Sequence, residues 1–204
     1  MPTEQFAAAL RGYAPDFGVE LAAKTIARLQ EYYALLSKWN PRLHLVGPCA
    51  PEEFATRHVL ESLLLLKHLS MGARVADIGS GAGLPIVPCL IARDDLRATL
   101  IEASQKKSVF LQETLRLIQA NNRASVVNAR FETIPTLDAD FVTCRALDKF
   151  SELLPAMIEW APPTATLLLF VGEPLRNRIE GMLTAVHAER IPHSDSRLLV
   201  VGRR

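Results

Sequence analysis

The sequence predicts an α/β protein built on a mainly parallel, doubly wound sheet, with a helical cap at its N-terminal side. Three observations carry that expectation. After Gly72, short apolar runs alternate with longer amphipathic segments, the rhythm of strand–helix–strand units. One strand-to-helix junction, Asp77-Ile78-Gly79-Ser80-Gly81-Ala82-Gly83-Leu84-Pro85, sets three glycines at alternate positions. Before Gly72, apolar residues recur at helical rather than strand spacing.

Taken in order, Ala22, Ile26, Leu29, Tyr33 and Leu36 fall three and four residues apart, which predicts a helix over 18–40. Asn40-Pro41 is expected to stop it, because proline cannot continue the hydrogen-bond ladder. Pro51 suits a first helical position and opens a second helix over 51–69, with Phe54, Val59, Ser62 and Leu65 on one side. The chain then reads as strand 74–78, helix 84–92, strand 97–102, helix 105–120 and strands 124–128 and 140–144. Helix 150–160, strand 165–171, helix 175–188 and strand 197–201 complete it. The expected division is a cap over 1–71 and a sheet domain over 72–204, together one compact unit. There is no internal repeat and no low-complexity segment.

At 204 residues the chain suits one domain with a small appendage and can bury a proper core. Its 49% hydrophobic and 22% charged residues are ordinary for a soluble globular protein. Cys49, Cys89 and Cys144 show neither metal nor redox spacing and are expected to be reduced thiols. His44, His58, His68, His187 and His193 do not pair at ligand spacing, so no metal site is expected. Residues 1–20 carry no basic segment followed by a long apolar core. No apolar run approaches the ~20 residues of a membrane span, so a cytoplasmic chain without a membrane partner is expected. A formal charge of +1 means that any nucleic-acid footprint is local. Arg42, Lys67, Lys106, Lys107, Arg123, Arg130, Arg145 and Lys149 are the residues that could form one around the cleft.

The glycine loop implies a nucleoside ligand. Glycine lets backbone turn tightly or approach a ligand where a Cβ would clash. The following helix N-terminus stands at the carboxyl end of a strand, where open α/β sheets bind ligands. Glu102 ends the next strand, a position from which an acid takes ribose hydroxyls. The dinucleotide fingerprint is G-x-G-x-x-G, whereas Gly79, Gly81 and Gly83 run G-x-G-x-G. Asp77, two residues before the first glycine, would repel a pyrophosphate and help hold a cation. This pattern looks like the S-adenosylmethionine site of the Rossmann-like methyltransferases, with Asp77, Gly79, Gly81, Gly83, Leu84 and Glu102 around the cofactor.

Further motifs sharpen the resemblance. Lys38-Trp39-Asn40, Arg57-His58-Val59-Leu60-Glu61-Ser62, the glycine loop, Leu100-Ile101-Glu102 with Lys106-Lys107, Arg130-Phe131-Glu132 and Thr143-Cys144-Arg145-Ala146 follow in that order. Together they resemble the GidB/RsmG family of bacterial methyltransferases of small-subunit ribosomal RNA, over roughly residues 30–170. The resemblance implies methyl transfer from S-adenosylmethionine to guanine N7 in an RNA loop near the decoding region. It implies that Phe131 and Glu132 contact the adenine, and that Arg145 touches cofactor and orients substrate as the catalytic residue. Arg57, His58, Lys106, Lys107 and Lys149 are the expected RNA contacts, and a monomer is the expected state. Arg145 ends a strand at the cleft rather than lying in the core, so its loss is expected to affect turnover and not folding.

The chain departs from the family at His44-Leu45-Val46, usually Asn-Leu-Thr or Asn-Leu-Ser, and at Ile86, usually glycine. It departs again at Val171, where the family usually has a lysine. An S-adenosylmethionine-dependent methyltransferase acting on a small molecule or protein is therefore the alternative. A nucleotide-binding oxidoreductase or a binding module comes third, disfavoured by the glycine spacing and Asp77. N7 carries a lone pair and no proton, so the reaction needs positioning rather than a general base. In A-form RNA that edge lies in a groove too deep to read, so the target base is expected in an unpaired loop or flipped out.

Overall fold

The computed structural model describes residues 1–145 and 149–204; Ala146, at the end of the Arg145 motif, lies outside the described residues. Seven strands form one sheet in the order β3-β2-β1-β4-β5-β7-β6. β1 (Arg74–Ile78), β2 (Arg97–Ile101), β3 (Ala124–Val127), β4 (Phe141–Arg145) and β5 (Thr166–Gly172) are parallel. β7 (Arg197–Arg203) runs antiparallel between β5 and β6 (Thr184–Arg190). The mainly parallel, doubly wound expectation is borne out. β1 and β4 lie side by side while the chain continues outward from each, so the strand order reverses there and a crevice opens beyond their carboxyl ends.

The central strands are apolar on both faces because helices cover both. On one face lie α1 (Pro2–Tyr13), α2 (Ala23–Leu43), α5 (Ile86–Ala92) and α6 (Gln105–Leu117). Beside them runs a continuous helical stretch: α3 (Pro51–Glu53), a π-helical segment (Phe54–Leu60), α4 (Glu61–Leu63) and a 3-10 turn (Leu64–Lys67). Phe6, Leu10, Tyr32, Phe54, Leu60 and Leu63 are fully buried in one core with Leu100, Leu168 and Leu199 of the sheet. Each such side chain stabilises the fold by about 1.5–3 kcal/mol. On the other face, Leu154 and Met157 of α7 (Phe150–Trp160) and Ile179 of α8 (Arg176–Glu180) pack with Val142, Leu167 and Leu169.

Four local expectations are corrected. No element was expected before residue 18, yet α1 forms there, where a short stripe of Phe6, Ala7 and Leu10 packs against the π-helical segment. Pro41 does not stop α2. It lies in the last turn, where the ladder is ending anyway, and His44 at φ 47° closes the helix with its N–H on the Asn40 carbonyl. The buried stripe of α2 carries Tyr32, while Tyr33 is only half-buried and stacks on Phe6 at 4.6 Å. The helix expected over 175–188 is the short α8 followed by strand β6, because pairing with β7 overrides the helical propensity of Ala185, Ala188 and Glu189.

Candidate active site

The loop after β1 is shaped by its glycines and tied to β2. Gly79, Gly81 and Gly83 sit at φ 69°, 53° and 86°. The Gly79 and Ser80 N–H groups donate to the Ile101 carbonyl at 2.9 and 3.1 Å. A Cβ on Gly83 would stand 2.5 Å from Val87 Cγ2, so that glycine serves the packing of α5 against the loop. Glu102 fixes the outer side: Oε2 accepts from the Gly81 N–H at 2.9 Å and Oε1 from the Ser104 N–H at 2.7 Å. Carboxylate oxygens have about four acceptor positions, so two remain for a ligand's hydroxyls. The Gly81 amide is already committed to Glu102, which leaves the loop poorly suited to cradle a phosphate. From below, the buried Tyr32 hydroxyl of α2 donates to the Ala82 carbonyl at 2.8 Å.

Asp77 lies under this loop, fully buried, and neither of its carboxylate oxygens has a hydrogen-bond partner. Burial holds its carboxyl well above the ordinary range and the Glu102 charge adds to the shift, while the Ser80 hydroxyl donates to the Asp77 backbone carbonyl at 3.0 Å. An unpartnered buried acid costs the fold free energy unless a donor or cation meets it. A nucleoside bearing positive charge fits these residues: an acid beneath the glycine loop, Glu102 for the ribose, and Ile101, Ala103, Ala129 and Phe131 as an apolar seat for a base.

The cleft has a volume of about 810 Å³ and continues from that seat to a basic wall. Arg145, at the end of β4, has an 11% exposed side chain and meets Glu61 Oε2 at 3.1 Å. Glu61 is 1% exposed and meets Arg197 of β7 at 2.6 Å with its other oxygen. Burial pushes the Glu61 carboxyl up and pulls the Arg145 guanidinium down, each against the other's charge. Arg145 also donates to the Arg57 and His58 carbonyls, at 2.5 and 3.3 Å, and lies 5.5 Å over the Phe170 ring. It is thus a buried clamp between the sheet and the helical stretch. Arg145 ends β4 at the cleft as expected, and its contacts with Glu61 and with the Arg57 and His58 carbonyls add a packing role the sequence did not suggest. Burial, then the charges of Arg145, Arg57 and Arg197, hold His58 neutral, lowering its pKa to about 3.

Of the residues singled out from the sequence, Gly79, Gly81, Leu84, Glu102, Phe131, Glu132 and Arg145 line this cleft, as do Arg57, His58, Lys107 and Lys149. Gly83 faces α5, Asp77 lies beneath the floor, and Lys106 is exposed outside the wall. The basic cluster is smaller than expected. Lys67 pairs with Glu189, and Arg123 donates to the Leu90 carbonyl at the opposite end of the strands. Sequence reasoning missed Glu61, Arg197, Tyr32 and the loop residues Leu45, Val46 and Gly47, which form part of the wall or support it. Glu61 stood inside the Arg57–Ser62 motif, a usable signal. Nothing in the sequence connects Arg197 with residues more than a hundred positions away.

Among the described residues no group of acids, cysteines and histidines could hold a metal ion, and no helix is long and apolar enough to cross a membrane. The profile of the GidB family, rRNA small subunit methyltransferase G, matches residues 25–198. A ribosomal RNA small subunit methyltransferase G of Sorangium cellulosum is 40% identical over 179 residues, covering 84% of this chain and 73% of that one. Its counterpart in Xanthomonas axonopodis pv. citri is 35% identical over 191 residues, covering 90% and 89%. A tRNA methyltransferase of B. subtilis shares the fold at a TM-score of 0.56 and 16% identity. The match covers 71% of this chain and 65% of that one, just under two thirds.

Proposed function

The chain belongs to the GidB family of small-subunit rRNA methyltransferases, and we propose that it methylates N7 of a guanine in an unpaired loop of small-subunit ribosomal RNA, using S-adenosylmethionine. The observation that carries the reading is the continuity of one cleft from the Glu102-bracketed glycine loop to the Arg57, Arg145 and Lys149 wall. When bound, the cofactor supplies an electrophilic methyl group on a sulfonium. Glu102 orients that ligand by ribose contact, Asp77 supports the glycine loop from beneath, and Phe131 packs beside its base. Arg145 sets the position of the wall against which the target base rests, and Phe170 is its apolar backing. Arg57 and Lys149 hold RNA phosphates at the rim, where their side chains are 52% and 74% exposed. Val171, where a lysine is usual in the family, leaves these cations to do that work.

No residue needs to remove a proton, since the N7 lone pair is the nucleophile; alignment and water exclusion supply the acceleration. A ribosomal RNA substrate supports a cytoplasmic site of action. Mass mapping of N7-methylguanosine in ribosomal RNA, from cells with and without this chain, tests the reading. Unchanged methylation of the small-subunit RNA would overturn it.

A further inference from the structure

One stretch of the cleft wall is tethered by a single side chain. Residues 44–50 join α2 to α3 without regular structure, and Leu45, Val46 and Gly47 among them line the cleft. The Asn40 amide holds both backbone groups of Val46: Nδ2 donates to the carbonyl at 3.1 Å, and Oδ1 accepts from the N–H at 3.0 Å. Among the described residues no other hydrogen bond reaches residues 45–49. A loop so tethered has low local stability. The rest of its hold is the packing of half-buried Leu45, Val46 and Cys49 on the main core. Its two ends reach both halves of the cleft. Before it, Trp39 meets the Phe110 ring of α6 at 6.1 Å, and the Ser104 cap of α6 is bonded to Glu102. After it, Cys49 lies close enough to Glu53 and Arg57 for their charges to act on its thiol.

We propose that Asn40 is a positioning residue for methyl transfer, which fixes Leu45, Val46 and Gly47 as the uncharged wall between the cofactor end of the cleft and its basic end. This rests on the guanine-N7 reading above. The N7 lone pair forms the new N–C bond, the C–S bonding pair returns to sulfur, and no proton moves. Rate therefore depends on alignment and on keeping water out, and a displacement of about 1 Å can cost 10²-fold. A wall held by one amide is where such a displacement would start.

The residue type has its own reason. Asparagine carries a donor and an acceptor side by side on a short stem, and Val46 presents the matching pair. An ionised aspartate of the same shape keeps the acceptor for the Val46 N–H but sets an oxygen against the Val46 carbonyl. Once protonated, its carboxyl again offers one O–H donor and one carbonyl acceptor. The facing carbonyl favours that neutral form and raises the carboxyl's titration.

The test uses the whole chain as wild type, Asn40→Ala and Asn40→Asp, at a temperature below every melting midpoint. Single-turnover methylation is measured with S-adenosylmethionine and small-subunit RNA both saturating, from about pH 8 down to about pH 5. Each variant's rate is divided by the wild-type rate at the same pH. Asn40→Ala should lose roughly 10- to 100-fold at every pH, with S-adenosylhomocysteine affinity within about threefold. Asn40→Asp should be as slow at the alkaline end and recover most of the loss at the acid end. A merely structural role would lower the melting temperature and leave both variants near the wild-type rate at saturation, and that result overturns the proposal. So does an aspartate variant that runs parallel to alanine across the whole range. Should Asn40→Ala not fold, the aspartate profile decides alone. A wild type that makes no N7-methylguanosine on this RNA brings down the parent reading instead, and this inference with it.

Discussion

Glu102 builds the cleft at its glycine-loop end. It orders the glycine loop through Gly81 and the start of α6 through Ser104, and it keeps acceptor capacity for a ribose. Glu102→Ala should weaken S-adenosylhomocysteine binding by about 1.5–3 kcal/mol, roughly ten- to a hundredfold, in isothermal titration. Unchanged affinity would remove Glu102 from the cofactor site. Arg145 holds the other end of the cleft together. Among the described residues, Arg145→Ala leaves the buried Glu61 with Arg197 as its one ion-pair partner. Loss of one partner of a buried pair costs about 3–5 kcal/mol; the surviving arginine should hold the loss near the lower end. The melting temperature should fall clearly, and a variant that melts like wild type would show that the clamp contributes nothing to the fold.

Among the elements, α2 matters because it links the helical cap to the cofactor loop. Its Tyr32 hydroxyl is the contact that does so, buried and bonded to the Ala82 carbonyl. Tyr32→Phe keeps the packing and removes one neutral hydrogen bond, a cost of about 0.5–1.5 kcal/mol. Part of that cost should appear as weaker S-adenosylhomocysteine binding; a change confined to thermal stability would show that the loop holds its shape without α2. The helical stretch through His58 carries a pH dependence. The unfolded chain protonates this imidazole near its ordinary value of 6.5, and the folded chain only near 3. Below about pH 6.5 the unfolded state therefore binds the extra proton, and stability falls as pH drops toward 3, by up to roughly 1 kcal/mol per unit. His58→Gln should flatten that part of a melting-temperature profile between pH 4 and 6.5.

At the scale of the whole molecule, a net charge of +1 conceals a local imbalance. Arg57, Lys107, Arg130, Arg145, Lys149 and Arg197 line one cleft against Glu61, Glu102 and Glu132, and of the exposed cations Arg57 also meets Glu53 and Lys149 meets Glu152. RNA binding should be strongly salt-dependent despite the near-neutral total. Lys149→Ala should weaken binding modestly and reduce the salt slope by about one charge, with little effect on the rate at saturation. A slope unchanged in a filter-binding titration would place the RNA backbone away from that rim.

The sequence by itself determined the strand–helix alternation, the glycine loop, its acid bracket and the family. These are local facts, since each depends on residue types a few positions apart and on the backbone freedom of Gly79, Gly81 and Gly83. Tertiary structure decided what distant segments do to each other. Residues 175–188 carry helix formers, yet most of them become α8 and an edge strand because β7 offers pairing. Arg145 reads as a strand end, yet Glu61 and Arg197 arrive from either side and turn it into a buried clamp. His58 reads as one histidine of five, and only its burial beside Arg145, Arg57 and Arg197 holds its ring neutral. Burial and partnership depend on contacts across the whole chain, and local residue pattern carries no record of them.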